Sequence, residues 1–210
     1  MSRDNILHRI RTAIGRSAGQ AVADPPPVRL HIPEADMESR IASMIVRIEA
    51  LAGKAYRADT GKNACATVAA AIAGKTAVAS NAPYLAECGI TALPGVRSGI
   101  TDRDELRQVC AAADIGITSA DYALADTGSL VMLSSPQEAR LVSLLPPAHI
   151  AVVPRERILT GLDELFTVLP NPAIQTSSMV LITGPSRTAD IEQILVRGVH
   201  GPGQITVIMV

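Results

Sequence analysis

The chain has 210 residues, 48% of them hydrophobic and 19% charged, with a formal net charge of −1. That balance excludes a disordered chain and favours one compact domain with an appendage over two full domains. An aromatic share of 2%, no tryptophan and no run of Lys or Arg leave neither a base-stacking platform nor a phosphate footprint, so nucleic acid is excluded as an expected partner.

Near the N-terminus, Ile6, Leu7, Ile10 and Ile14 recur at spacings of three and four beside Arg3, Arg9, Arg11 and Arg16, which predicts an amphipathic helical arm. The arm is charged throughout and lacks the apolar core of a signal peptide, and no stretch of the chain has the roughly 20 apolar residues of a membrane span. Cytoplasm is the expected compartment. Pro25, Pro26 and Pro27 break any helix that follows. The expected organisation is a helical arm and proline-rich linker over residues 1–33 and an α/β domain over residues 34–210.

Met37, Ile41, Met44, Ile45, Ile48 and Leu51 mark the buried face of a second amphipathic helix. From Lys54 onward, short apolar runs alternate with helical segments, the pattern of βα units and a mostly parallel sheet. Strands are predicted at residues 55–57, 76–80, 115–118, 130–134, 150–153, 179–183 and 205–210, and helices at 60–73, 102–112, 137–145 and 160–169. Thr101 followed by Asp104 resembles a capping box. Cys65, Cys88 and Cys110 lie in apolar sequence with no C-x-x-C pair, so buried free thiols are expected.

Several standard motifs fail. Gly61-Lys62 and Gly74-Lys75 lack the leading glycine of a phosphate loop, since Tyr56 and Ala69 stand there. Gly201-Pro202-Gly203 is no dinucleotide fingerprint, and Gly184-Pro185-Ser186-Arg187-Thr188 lacks the closing glycine of a nucleophile elbow. His8, His31, His149 and His200 form no ligand pair for zinc, so no metal is expected. His149 is expected as a satisfied, partly buried side chain.

Two polar loops survive. The first runs from Asp121 through Asp126, Thr127, Gly128 and Ser129 between two predicted strands; its carboxylate, hydroxyls and glycine suit a sugar, phosphate or acyl ligand, or equally an Asx-turn with Gly128 at positive φ. In the second, Gly184, Ser186, Arg187, Thr188, Asp190 and Glu192 leave an apolar strand and are read as opening a helix with Thr188 as N-cap. Ser186 and Arg187 would face an anion, while Asp190 and Glu192 either join the site or complement the helix dipole. His200, in the turn before the last strand, is a candidate general base or a structural donor. Asp126 and His200 are the candidate catalytic groups.

Residues 117–130, Leu144-Leu145-Pro146 with His149-Ile150, the 184–192 segment and Gly198-Val199-His200-Gly201-Pro202 together resemble the lactate-utilisation protein C family, the LUD domain. The resemblance implies a three-layer α/β/α fold like that of the ribose-phosphate isomerase, glucosamine-phosphate deaminase and CoA-transferase superfamily. It also implies a part in oxidising L-lactate to pyruvate with partner proteins, one of which carries iron-sulfur clusters; this chain has no cluster ligands, and no cofactor of its own is expected. Asp126 stands where the family often has Glu, and no assigned catalytic residue carries over.

Two functions follow as expectations. One is a non-cluster subunit or accessory protein of lactate oxidation that binds a small organic acid or its partners. The alternative is a free-standing enzyme acting on an acyl or sugar-phosphate ligand. An assembly role for the N-terminal arm and homo-oligomerisation stay open.

Overall fold

A computed structural model describes residues 2–17, 19–20, 35–189 and 195–210. The chain divides into two compact units, Met1–His31 and Ile32–Val210. In the first, α1 (Arg3–Ala13) starts at Ser2, whose side chain accepts from the Asn5 amide, and Ile6 and Ile10 are exposed along it. Most of the proline-rich linker lies outside the described residues.

The second unit begins with α2 (Met37–Ala50), capped by Asp36 through the Ser39 amide at 2.8 Å. There follow β1 (Lys54–Arg57), α3 (Gly61–Ala71), β2 (Ala77–Ala79), α4 (Pro83–Glu87), β3 (Val96–Arg97), α5 (Arg103–Ala112) and β4 (Ile115–Ser119). Next come β5 (Tyr122–Leu124), β6 (Ser129–Leu133), α6 (Arg140–Leu144), β7 (Ala148–Val153), β8 (Ile158–Leu159), α7 (Leu162–Val168) and α8 (Pro172–Gln175). The last elements are β9 (Met179–Ile182), β10 (Arg187–Ala189), β11 (Leu195–Arg197) and β12 (Gln204–Met209).

The main sheet has the order β1-β12-β7-β4-β2-β3, and every neighbouring pair in it is parallel. Its central strands are apolar on both faces, as a covered parallel sheet requires. One face presents Ala79, Ile117, Val152 and Ile208 to Val68 of α3 and Leu85 of α4. The other presents Ala151, Val153, Val207 and Met209 to Ile41, Met44 and Ile48 of α2, and Val78 to Val109 of α5 and Val142 of α6. This is the α/β/α layering expected from the sequence.

A smaller sheet of order β8-β5-β6-β9 is also present, with β5 and β6 forming an antiparallel hairpin. It was not foreseen. Its first three-residue strand lies inside the segment read as a polar loop, so residues 121–129 are a hairpin and not one continuous loop. Thr188 is likewise no N-cap: it sits in β10 opposite Val196 in an antiparallel pair, which replaces the expected helix start with ladder hydrogen bonds. The cap of α5 is Asp102 accepting from the Glu105 amide at 2.8 Å, one residue beyond the Thr101 and Asp104 pair, because Asp outranks Thr as a cap. Cys65, Cys88 and Cys110 are free thiols; Cys88 and Cys110 are buried as expected, whereas Cys65 is only half-buried. No helix among the described residues is long and apolar enough to cross a membrane.

Candidate functional site

From β2 the chain steps outward to β3 and then returns past β2 to β4, so the strand order reverses between β2 and β4. Ligands of open α/β sheets sit at such a point, beyond the strand carboxyl ends. A crevice of about 500 Å³ opens there, lined by Ala82 after β2, Ser119 and Asp121 at the end of β4, and Pro154 after β7. Glu138, Tyr84 and Arg157 also line it, with Glu87 and Glu156.

Glu138 is the most constrained of these groups, with only 7% of its surface exposed. The preceding loop holds it: Ser135 Oγ accepts from the Glu138 amide at 2.9 Å, a local turn that ends before α6 begins. Its Oε1 accepts from Ser80 Oγ at 2.7 Å and from the Ser119 amide at 2.7 Å. Its Oε2 is buried without a hydrogen-bond partner. Burial pushes the carboxyl up to about 7, with the two donors opposing and Asp121 adding to the rise. A carboxyl poised near neutrality can give and take a proton at physiological pH.

Asp121 shares the crevice. Its Oδ2 accepts from the Leu133 amide at 2.7 Å, and burial raises its pKa while Leu133 and Arg157 act against the rise. Arg157 lies over the Tyr122 ring at 5.3 Å, which steadies the guanidinium at the rim. The sequence reading identified Asp121 but neither Glu138 nor Arg157. The helix expected over 137–145 would include Glu138, but α6 starts at Arg140, and the partners that hold the carboxyl come from Ser80 after β2 and Ser119 in β4.

The other predicted residues lie elsewhere. Asp126, Thr127, Gly128 and Ser129 form the opposite end of the β5–β6 hairpin from Asp121. There Gly128 has φ +70°, and an added Cβ would stand 2.9 Å from Arg47 Cβ and 3.1 Å from the Ile48 nitrogen. The corner is thus pressed against α2. We expect Gly128→Ala to cost about 2 kcal/mol through left-handed strain and this contact, lowering Tm by roughly 4–8 °C; an unchanged melting curve would show the corner free of α2.

A chain of hydroxyls joins this corner to the second loop: Thr127 to Ser129 at 2.8 Å and Ser129 to Thr183 at 2.7 Å. Beyond it, Gly184, Ser186, Arg187 and His200 line a separate cavity of about 280 Å³. The His200 amide donates to Ser186 Oγ at 3.3 Å. Asp190 and Glu192 lie outside the described residues. His149 is more deeply buried than expected and only half-satisfied: it is 1% exposed, Nε2 pairs with Thr118 Oγ1 at 2.8 Å and Nδ1 has no partner. Burial lowers its pKa to about 4, so the ring is neutral. Among the described residues no group of three or more His, Cys, Asp or Glu could hold a metal ion.

The chain is 42% identical over 106 residues to lactate utilization protein C of Halalkalibacterium halodurans, a match covering 49% of this chain and 46% of that one. It is 40% identical over 102 residues to lactate utilization protein C of Bacillus subtilis, covering 47% and 42% respectively. The matches thus span about half the length of these curated relatives or a little less. A crystal structure of a DUF162 family protein from Deinococcus radiodurans superposes with a TM-score of 0.63 at 18% identity, covering 84% of this chain and 99% of that chain, a likeness of fold. The LUD domain profile matches residues 41–210, and the chain belongs to the LUD domain family.

Proposed function

We propose that this chain serves lactate utilisation by binding a small hydroxy or keto acid in the crevice at the β2–β4 switch point, with Glu138 handling its proton. The unpaired Oε2 of Glu138 carries the reading: a buried carboxyl oxygen without a partner, beside a crevice, suits a hydroxyl entering from outside. Arg157, which lines the crevice, supports the reading, since a guanidinium takes a carboxylate in bidentate fashion. The names of the relatives support lactate as the metabolite class. The oxidant, in this reading, belongs to the iron-sulfur partner that the family resemblance implies, and this chain orients the acid and exchanges the proton.

Calorimetric titration with L-lactate and with pyruvate tests the proposal. Arg157→Gln is expected to weaken binding about tenfold, the loss of one charge-assisted pair. Glu138→Gln is expected to remove the pH dependence of affinity near 7, the value to which burial raises Glu138. Unchanged affinity in Arg157→Gln together with an unchanged pH profile in Glu138→Gln overturns it. One observation favours the alternative of a free-standing enzyme: about 500 Å³ is roomy for a three-carbon acid and would admit an acyl or sugar-phosphate ligand. Turnover of such a ligand by the isolated chain would select that alternative.

A further inference from the structure

The second cavity has a different chemistry from the crevice. It lies between α6, β9 and the turns before β10 and β12, and encloses about 280 Å³. Among the described residues, Arg140, Arg187 and His200 line it and no Asp or Glu does. Neither guanidinium has a hydrogen bond or ion pair among the described residues. That segregation stands out in a chain with 19 Lys and Arg against 20 Asp and Glu. Its floor is apolar: Ile182 contributes from β9, and Pro202 and Ile205 are buried beneath.

The walls are fastened before any ligand arrives. The Ser186 amide donates to Pro202 O at 2.9 Å and the Gly198 amide to Ser186 O at 3.0 Å, so the two turns are tied to each other. The Gly203 amide donates to Pro147 O at 3.0 Å, which ties them to the start of β7. Thr183 is anchored by Ser129 from β6. Such cross-linking limits the ordering cost of binding.

From this we infer that the cavity is a second binding site, distinct from the Glu138 crevice, for a monocarboxylate with a short apolar tail. The carboxylate would lie between Arg140 and Arg187, each able to donate two parallel hydrogen bonds. The tail would cover Ile182, Pro202 and Ile205, removing apolar surface from water. A sugar phosphate would satisfy the cations but lay a hydroxylated surface on the apolar floor of Ile182, Pro202 and Ile205, a poorer match than an alkyl tail. The volume sits at the lower end of the range for small-ligand pockets, which suits a short acid.

The test titrates the full chain with sodium pentanoate, using pentan-1-ol and inorganic phosphate as controls for tail and charge. Saturable binding of pentanoate is expected, with both controls at least about tenfold weaker. Arg140→Gln and Arg187→Gln, both exposed positions, are each expected to weaken pentanoate about tenfold, while Glu138→Gln and Arg157→Gln leave it within about twofold. Circular dichroism confirms that each variant is folded. No saturable binding of pentanoate, equal binding of either control, or indifference to both arginine substitutions overturns the assignment, as does loss of pentanoate binding in the crevice variants. Lactate binding is read against Arg157→Gln and pentanoate binding against Arg140→Gln and Arg187→Gln, so either site can fail without the other.

Discussion

In Glu138→Gln, the component of stability that falls as pH rises from 4.5 to 7 is expected to vanish. Burial penalises the charged carboxylate, raising the pKa from its ordinary 4.5 to about 7. Between those values the folded protein holds a proton that the unfolded chain has released, so the stabilisation is full below 4.5 and is lost as pH climbs through 7. Its size is on the order of 3 kcal/mol. Glutamine resembles the protonated acid in shape and keeps an oxygen to accept from Ser80 and Ser119, so the variant should match the wild type at low pH and exceed it above 7. Urea unfolding of both proteins from pH 5 to 8 gives the difference directly. His149 has the opposite sign, losing stability as pH falls from 6.5 through about 4, but it is common to both proteins and cancels. A difference that does not vary with pH would refute a raised Glu138.

Gly116→Ala is expected to be the most disruptive single-methyl change in the parallel sheet. Gly116 lies in β4, and an added Cβ would stand 1.9 Å from Val142 O and 3.2 Å from Pro146 Cγ. The nearest obstacle is main chain of α6, so no rotamer change relieves it; the helix would have to withdraw by about an ångström or more. Val142 is 1% exposed, and moving it opens the core between α5, α6 and β2. We expect a loss of about 3 kcal/mol or more, or failure to fold. Gly74→Ala is the control: φ is +73° with open space around it, so backbone strain alone, roughly 1–2 kcal/mol, should register. Similar urea midpoints for the two variants would show that α6 yields easily. Because α6 also carries Arg140 and Ser143 into the second cavity, a folded Gly116→Ala protein should bind pentanoate poorly.

Long-period and continuous apolar patterns were legible in the residues themselves. The run from Met179 and the run through Ile205 to Met209 read as strands because each is a short continuous apolar stretch, though the first is only partly buried, and α2 is visible in its stripe. Short or long-range features were not. Tyr122–Leu124 is too brief for alternation to register between Asp121 and Asp126, and its identity as a strand depends on pairing with Ser129–Val131. Thr188 followed by Asp190 and Glu192 has the local chemistry of a helix start, but pairing with Val196 prevails. Gly184, Ser186 and Arg187 stand out in the residues as a polar interruption after an apolar run, but that His200 lines the same cavity depends on the tie between two turns far apart in sequence. Glu138 escaped notice because what makes it unusual is supplied from 58 residues upstream at Ser80 and 19 residues upstream at Ser119.

The position of β12 has a consequence for how the protein is made. Gln204–Met209 insert between β1 and β7, so β1, complete by residue 57, has no sheet partner until the final strand is available. During vectorial synthesis β1 must wait while nearly 150 further residues emerge, with its own edge and that of β7 exposed to mispairing. Closure of so long a loop predicts slow folding for a domain of this size and an early dependence on chaperones that shield unpaired strands.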